Sequence, residues 1–114
     1  MGACDFSNLV VTKGSAIDAY QEAQEEMNDY NGHQEGYSGD IQTTEGFCSA
    51  FDAPRFGTRA FQKWEEKQLD RLDKRECLCV EIKSPATLKR LKERRGLKGK
   101  KGIKAYYFFG WAAC

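Results

Sequence analysis

The run Ile103-Lys104-Ala105-Tyr106-Tyr107-Phe108-Phe109-Gly110-Trp111-Ala112-Ala113-Cys114 constrains the fold more than any other part of the sequence. It gathers five aromatic side chains around a single charge, with no proline and no turn residue before Gly110. Aromatic residues suit a pleated, packed surface, and the run is too short and too even in polarity for an amphipathic helix. The pattern predicts a strand buried on both faces, and such a strand belongs in the middle of a sheet. Everything upstream must supply its neighbours.

Ala3 to Thr12 alternates Cys4, Phe6, Asn8 and Val10 with Asp5, Ser7, Leu9 and Val11, which predicts a first strand ended by Lys13-Gly14. Ser15 stands as an N-cap with Asp18 three residues on, a variant capping box. Ala16, Tyr20, Ala23, Met27 and Tyr30 follow at helical spacing, and Gly32 suits the residue after the helix. Residues 31–36 read as a loop. Tyr37 to Thr43 and Phe47 to Phe51 read as two strands joined through a tight turn at Glu45-Gly46.

Residues 52–57 carry turn chemistry, and Thr58 can cap a second helix with apolar positions Ala60, Phe61, Trp64, Leu69 and Leu72. Cys77 to Lys83 alternates, with Leu78, Val80 and Ile82 expected in the core and the two cysteines expected outward beside Glu81 and Lys83. Ser84-Pro85 is a strong helix start, Leu88 and Leu91 are that helix's apolar anchors, and Gly96 stops it. The order resembles an elaborated ferredoxin-like α+β sandwich, a mostly antiparallel sheet with helices over one face.

A chain of 114 residues makes one domain, and its 40% hydrophobic and 31% charged content is ordinary for a globular protein. No apolar run reaches the roughly 20 residues that span a bilayer, so no membrane partner is expected. The Met-Gly opening has Phe6 where an acylation signal needs Ser or Thr. Five cysteines cannot all pair within one chain, which favours a reducing cytosol.

Catalytic chemistry finds little support. Cys77 and Cys79 share a strand face, yet zinc needs two further ligands, and Cys4, Cys48, Cys114 and His33 include no second close pair. His33 and Glu35 lie in a polar loop with no nucleophile tied to them by a motif. The glycines at 96, 99 and 102 follow a helix rather than a strand, which is wrong for a phosphate loop. The expectation is a protein without enzymatic activity, cofactor or metal.

The net charge of +1 conceals a division. Acidic residues crowd the first half, with Glu22, Glu25, Glu26 and Asp29 on the first helix and Glu35 and Asp40 beyond it. From Lys83 to Lys104 there are ten lysines and arginines against Glu93 alone. Lys89, Arg90, Lys92, Arg94 and Arg95 cannot all turn inward, so they predict a cationic surface that runs on into Lys98, Lys100 and Lys101. Such a surface attracts phosphate by counterion release. The plain alternatives are solvated faces, or two halves that face one another.

The opening Met-Gly-Ala-Cys-Asp-Phe, the Tyr37-Ser38-Gly39-Asp40-Ile41 segment and the closing Tyr107-Phe108-Phe109-Gly110-Trp111-Ala112 resemble small proteins encoded by bacteriophages and mobile elements. The resemblance implies an inhibitor of a host defence factor, anti-CRISPR-like, acting in the bacterial cytoplasm on a host protein or ribonucleoprotein such as a CRISPR effector. In that reading the acidic residues 22, 25, 26, 29, 35 and 40 imitate nucleic-acid phosphates and occupy a basic cleft. The alternative is a nucleic-acid-binding module acting through residues 83–104. The first is preferred on the resemblance, while the charges allow either.

Overall fold

The computed structural model describes residues 3–30, 44, 46–97 and 101–113. In chain order these form β1 (Ala3–Thr12), α1 (Ala16–Tyr30), β2 (Cys48–Ser49), α2 (Arg59–Arg71), β3 (Cys77–Glu81), α3 (Pro85–Arg94) and β4 (Lys104–Ala113). The four strands make one sheet in the order β1-β4-β3-β2. β4 runs antiparallel to both neighbours, with Ala3 opposite Ala113 on one side and Cys77 opposite Gly110 on the other. β2 pairs parallel to β3. The sheet is thus mostly antiparallel in an α+β domain, and the aromatic run is central.

β4 holds that place because both of its faces are apolar. Phe108 and Phe109 are adjacent, so they point to opposite faces, and both are fully buried. Each contributes roughly 1.5–3 kcal/mol by leaving water. Gly110 is required where it stands. A Cβ there would collide with the carbonyl oxygen of Glu76, on the chain entering β3.

The helices do not share one face as the element order suggests. On the even-numbered face of β4, Tyr106 and Phe108 pack with Val10 of β1, Cys77 and Cys79 of β3, and Ala19, Tyr20 and Ala23 of α1. On the odd-numbered face, Phe109 packs with Val80, Phe61, Trp64 and Leu69, placing α2 there. α3 joins the same side through Leu88 and Leu91 against Ile82, Ala105 and Tyr107. The one-sided ferredoxin-like layering therefore gives way to three layers, one helix on one side and two on the other. The physical reason is β3. Its cysteines, expected outward beside Glu81 and Lys83, are only 3% and 2% exposed and act as small apolar residues that a helix can cover.

Local chemistry sets the element ends. The Ser15 amide donates to Asp18 Oδ2 at 3.0 Å, and the Asp18 amide donates back to Ser15 Oγ at 3.4 Å. Thr58 Oγ1 accepts from the Phe61 amide at 3.2 Å and starts α2, although Ala60 is exposed rather than inward. Pro85 sits in the first turn of α3, and Gly96, with φ of +70°, turns the chain out of it.

The expected strand at 37–43 and the loop at 31–36 lie outside the described residues. The expected strand at 47–51 shrinks to Cys48–Ser49. There Asp52, Ala53 and Pro54 turn the chain away, leaving a short edge that limits pairing with other chains.

Candidate functional site

α1 turns Ala19, Tyr20 and Ala23 to the sheet, which leaves Glu22, Glu25 and Glu26 exposed on its outer surface. Asp29 lies on the last turn of the same helix. Glu35, Asp40 and His33 lie outside the described residues. The helix is anchored by the Tyr20 hydroxyl, which is hydrogen-bonded to Thr44 Oγ1 and accepts from the Gly46 amide at 3.0 Å and from Gln24 Nε2 at 3.0 Å. The three described carboxylates stand together on the outer surface of one helix.

The basic residues of α3 lie across the sheet from them. Leu91 of α3 is buried and Leu88 half-buried, so Lys89, Arg90, Arg94 and Arg95 are exposed. Lys83, Lys101 and Lys104 are exposed as well, while Lys98 and Lys100 lie outside the described residues. The exposed carboxylates of α1 and the exposed cations of α3 thus stand on opposite sides of the sheet. A helix covered on one side by the sheet can offer its charges only to solvent or to a partner.

Arg55 is a residue that sequence reasoning passes over. By position it belongs to the acidic half, yet it meets α3 in space. Arg55, Arg90 and Arg94 line a cavity of about 280 Å³ with Thr58 and Thr87, over a floor that includes Phe56 and Leu91. Thr58 Oγ1 donates to the Arg55 carbonyl at 2.6 Å while capping α2, so one hydroxyl fixes both the helix start and the arginine's backbone. Gly57, with φ of +86°, makes the turn between them. The only sequence cue is the Pro54-Arg55-Phe56-Gly57 turn, and nothing in it points toward residues 90 and 94.

A second cavity of about 330 Å³ adjoins the first, since Arg55 and Phe56 line both. It opens beyond the ends of the parallel pair β2 and β3, where Glu81, Lys83 and Tyr106 line it. Phe51 stands on its wall with 87% of its surface exposed. A single exposed apolar residue is ordinary on a protein surface, and what distinguishes Phe51 is its place on a cavity that it shares with Arg55.

Among the described cysteines Cys77 and Cys79 are buried and Cys48 is exposed. Burial pushes the Cys77 thiol up, with Cys79 adding to the effect. Burial and then the Glu81 charge push Cys79 up to about 12. Both stay protonated at neutral pH and are poor nucleophiles and poor metal ligands. Among the described residues no group of three His, Cys, Asp or Glu side chains is placed to hold a metal ion, and no helix is long and apolar enough to cross a membrane. Compared with protein-family models, curated proteins and solved structures, the chain finds no match.

Proposed function

We propose that this is a non-enzymatic binding protein whose basic face engages nucleic acid. The observation that carries the reading is the convergence of Arg55 with Arg90 and Arg94 around one cavity, drawn from segments far apart in sequence. Guanidinium groups grip phosphate with paired donors, and the Thr87 hydroxyl can add a hydrogen bond of the same polarity. On α3 the exposed Lys89, and Arg95 at the helix end, extend the positive field. Geometry therefore favours the opposite face from the one that the resemblance implies.

The test is binding of mixed-sequence DNA and RNA as salt is varied. Wild type should lose affinity steeply with salt. Replacing Arg55, Arg90 and Arg94 by Ala should lower the slope of log affinity on log salt by about 2, since each phosphate that a single strand no longer has neutralised takes away about 0.7. Affinity and slope unchanged in that variant would sink the reading.

The second reading is inhibition of a host defence factor, such as a CRISPR effector, by phosphate mimicry. It is favoured by the exposure of Glu22, Glu25 and Glu26 along one surface of α1. Changing those three to Lys should then abolish capture of a protein or ribonucleoprotein from bacterial lysate and leave the melting temperature unmoved, since exposed helix positions tolerate substitution. Nuclease treatment of the lysate separates the two readings.

A further inference from the structure

Phe51 makes no use of its ring within the described fold. At 87% exposure it has neither the burial of a core residue nor the ring contacts that join Phe47, Phe56 and Phe61 to their neighbours. It borders the larger cavity, and the smaller one begins where Arg55 and Phe56 are shared. An exposed aromatic at one end of a groove, Arg55 at the junction, and Arg90 and Arg94 at the other end form a graded surface, apolar to cationic. We propose that this groove binds single-stranded nucleic acid, with Phe51 stacking on an unpaired base and Arg55, Arg90 and Arg94 holding the adjoining phosphates. The proposal rests on the nucleic-acid reading above and narrows it to one form of the polymer.

Two features set the direction and the strandedness. Glu81 is exposed and lines the Phe51 compartment. Its carboxylate repels a phosphate but accepts hydrogen bonds from the amino groups of bases, as the Ser49 hydroxyl can. Bases therefore belong against Phe51 and Glu81, and phosphates against Arg55, Arg90 and Arg94, with Lys83 in reach of the backbone in the Phe51 compartment. In a duplex the base faces are already covered by neighbouring pairs, so an aromatic ring gains nothing there. Only a strand with splayed bases satisfies both ends of the groove.

The experiment measures anisotropy of labelled mixed-sequence single-stranded DNA and RNA, and of the matching duplexes, with wild type and two variants. Phe51→Ala should weaken single-strand binding by roughly tenfold or more and leave duplex binding where it was. Phe51→Tyr, which keeps a stacking ring, should restore wild-type affinity. The residue is solvated, so equal melting temperatures confirm that folding is not the variable. Single-strand affinity unchanged in Phe51→Ala, or duplex bound as tightly as single strand, overturns the proposal. The broader nucleic-acid reading survives that outcome if Arg90→Glu with Arg94→Glu still abolishes binding. Wild type that binds none of these polymers, or an acidic peptide that displaces them equally from wild type and Phe51→Ala, overturns both.

Discussion

On one face of the sheet α1 lies against Cys77, Cys79 and Phe108 through Ala19 and Ala23, side chains too small to hold it away. On the other, α2 rests on interlocked rings. Phe61 meets Phe56, Trp64 and Tyr107 at centroid distances of 5.2, 5.5 and 5.7 Å, and Trp64 meets Phe109 at 5.7 Å. These are the offset and edge-on separations that aromatic pairs prefer. The α1 face combines that close approach with a smaller ring cluster of Tyr20, Phe47 and Phe108, whereas the α2 face depends on filled volume. The two should therefore differ most at the alanines of α1, where added bulk harms the first face, whereas deleted bulk harms the second.

The largest effect is expected from Phe109→Ala, which empties the centre of the aromatic layer and should cost about 3–5 kcal/mol in denaturant unfolding. Trp111→Ala should follow at about 2–3 kcal/mol, less than a fully buried ring would lose. Trp111 is half-buried, and its indole N–H donates to the Leu69 carbonyl at 2.6 Å, tying the end of β4 to α2. Ala19→Leu should cost about 1–3 kcal/mol, because a fully covered alanine leaves no room for three more carbons. A neutral Ala19→Leu would break the comparison by showing that α1 can lift from the sheet freely. The melting midpoints of the three variants rank them directly.

Thr58→Ala should cost about 1 kcal/mol through removal of the N-cap. It should also release the Arg55 carbonyl and weaken groove binding, whereas Thr58→Ser should preserve both. A further effect appears only in alkali. The Cys79 thiol ionises near 8.5 when unfolded but is pushed up to about 12 by burial in the fold. Between those values the unfolded chain releases a proton that the folded one keeps, so stability falls as pH rises through that window and is unaffected below it. Burial also raises Cys77, Tyr20 and Tyr107, and Glu65, which accepts from the Tyr107 hydroxyl at 2.6 Å, raises Tyr107 further. The decline should steepen above about 10. Melts from about pH 8 to about pH 11 should be flatter over the lower part of the range in Cys79→Ala, and equal slopes would mean that the thiol is wet.

Local chemistry is what a sequence can be read for. The span of β1, the Ser15 and Thr58 caps, Pro85 at the start of α3 and the central place of the aromatic run all depend on residues within a turn or a strand of one another. The surroundings of Cys77 and Cys79 escape such reading, because alternation with Glu81 and Lys83 marks one face only. α1 covers Cys77 and Cys79, whereas Glu81, two residues on, is exposed. The arginine cavity is invisible for a different reason. Arg55 and Arg94 are joined by packing of α3 against β4 and Phe56, which no short window of sequence records.

The strand order has a consequence in time. β1 finds its partner across about a hundred residues, from Ala3 to Ala113, and β3 completes its hydrogen bonding on the same late strand. During synthesis both wait with open edges until β4 has been made, and the loop that must close is nearly the whole chain. Pairing between distant segments slows folding, and unpaired apolar edges invite other chains. Escape from aggregation in the cell should then depend on how quickly β4 is captured after it emerges, more than on the depth of the final energy well.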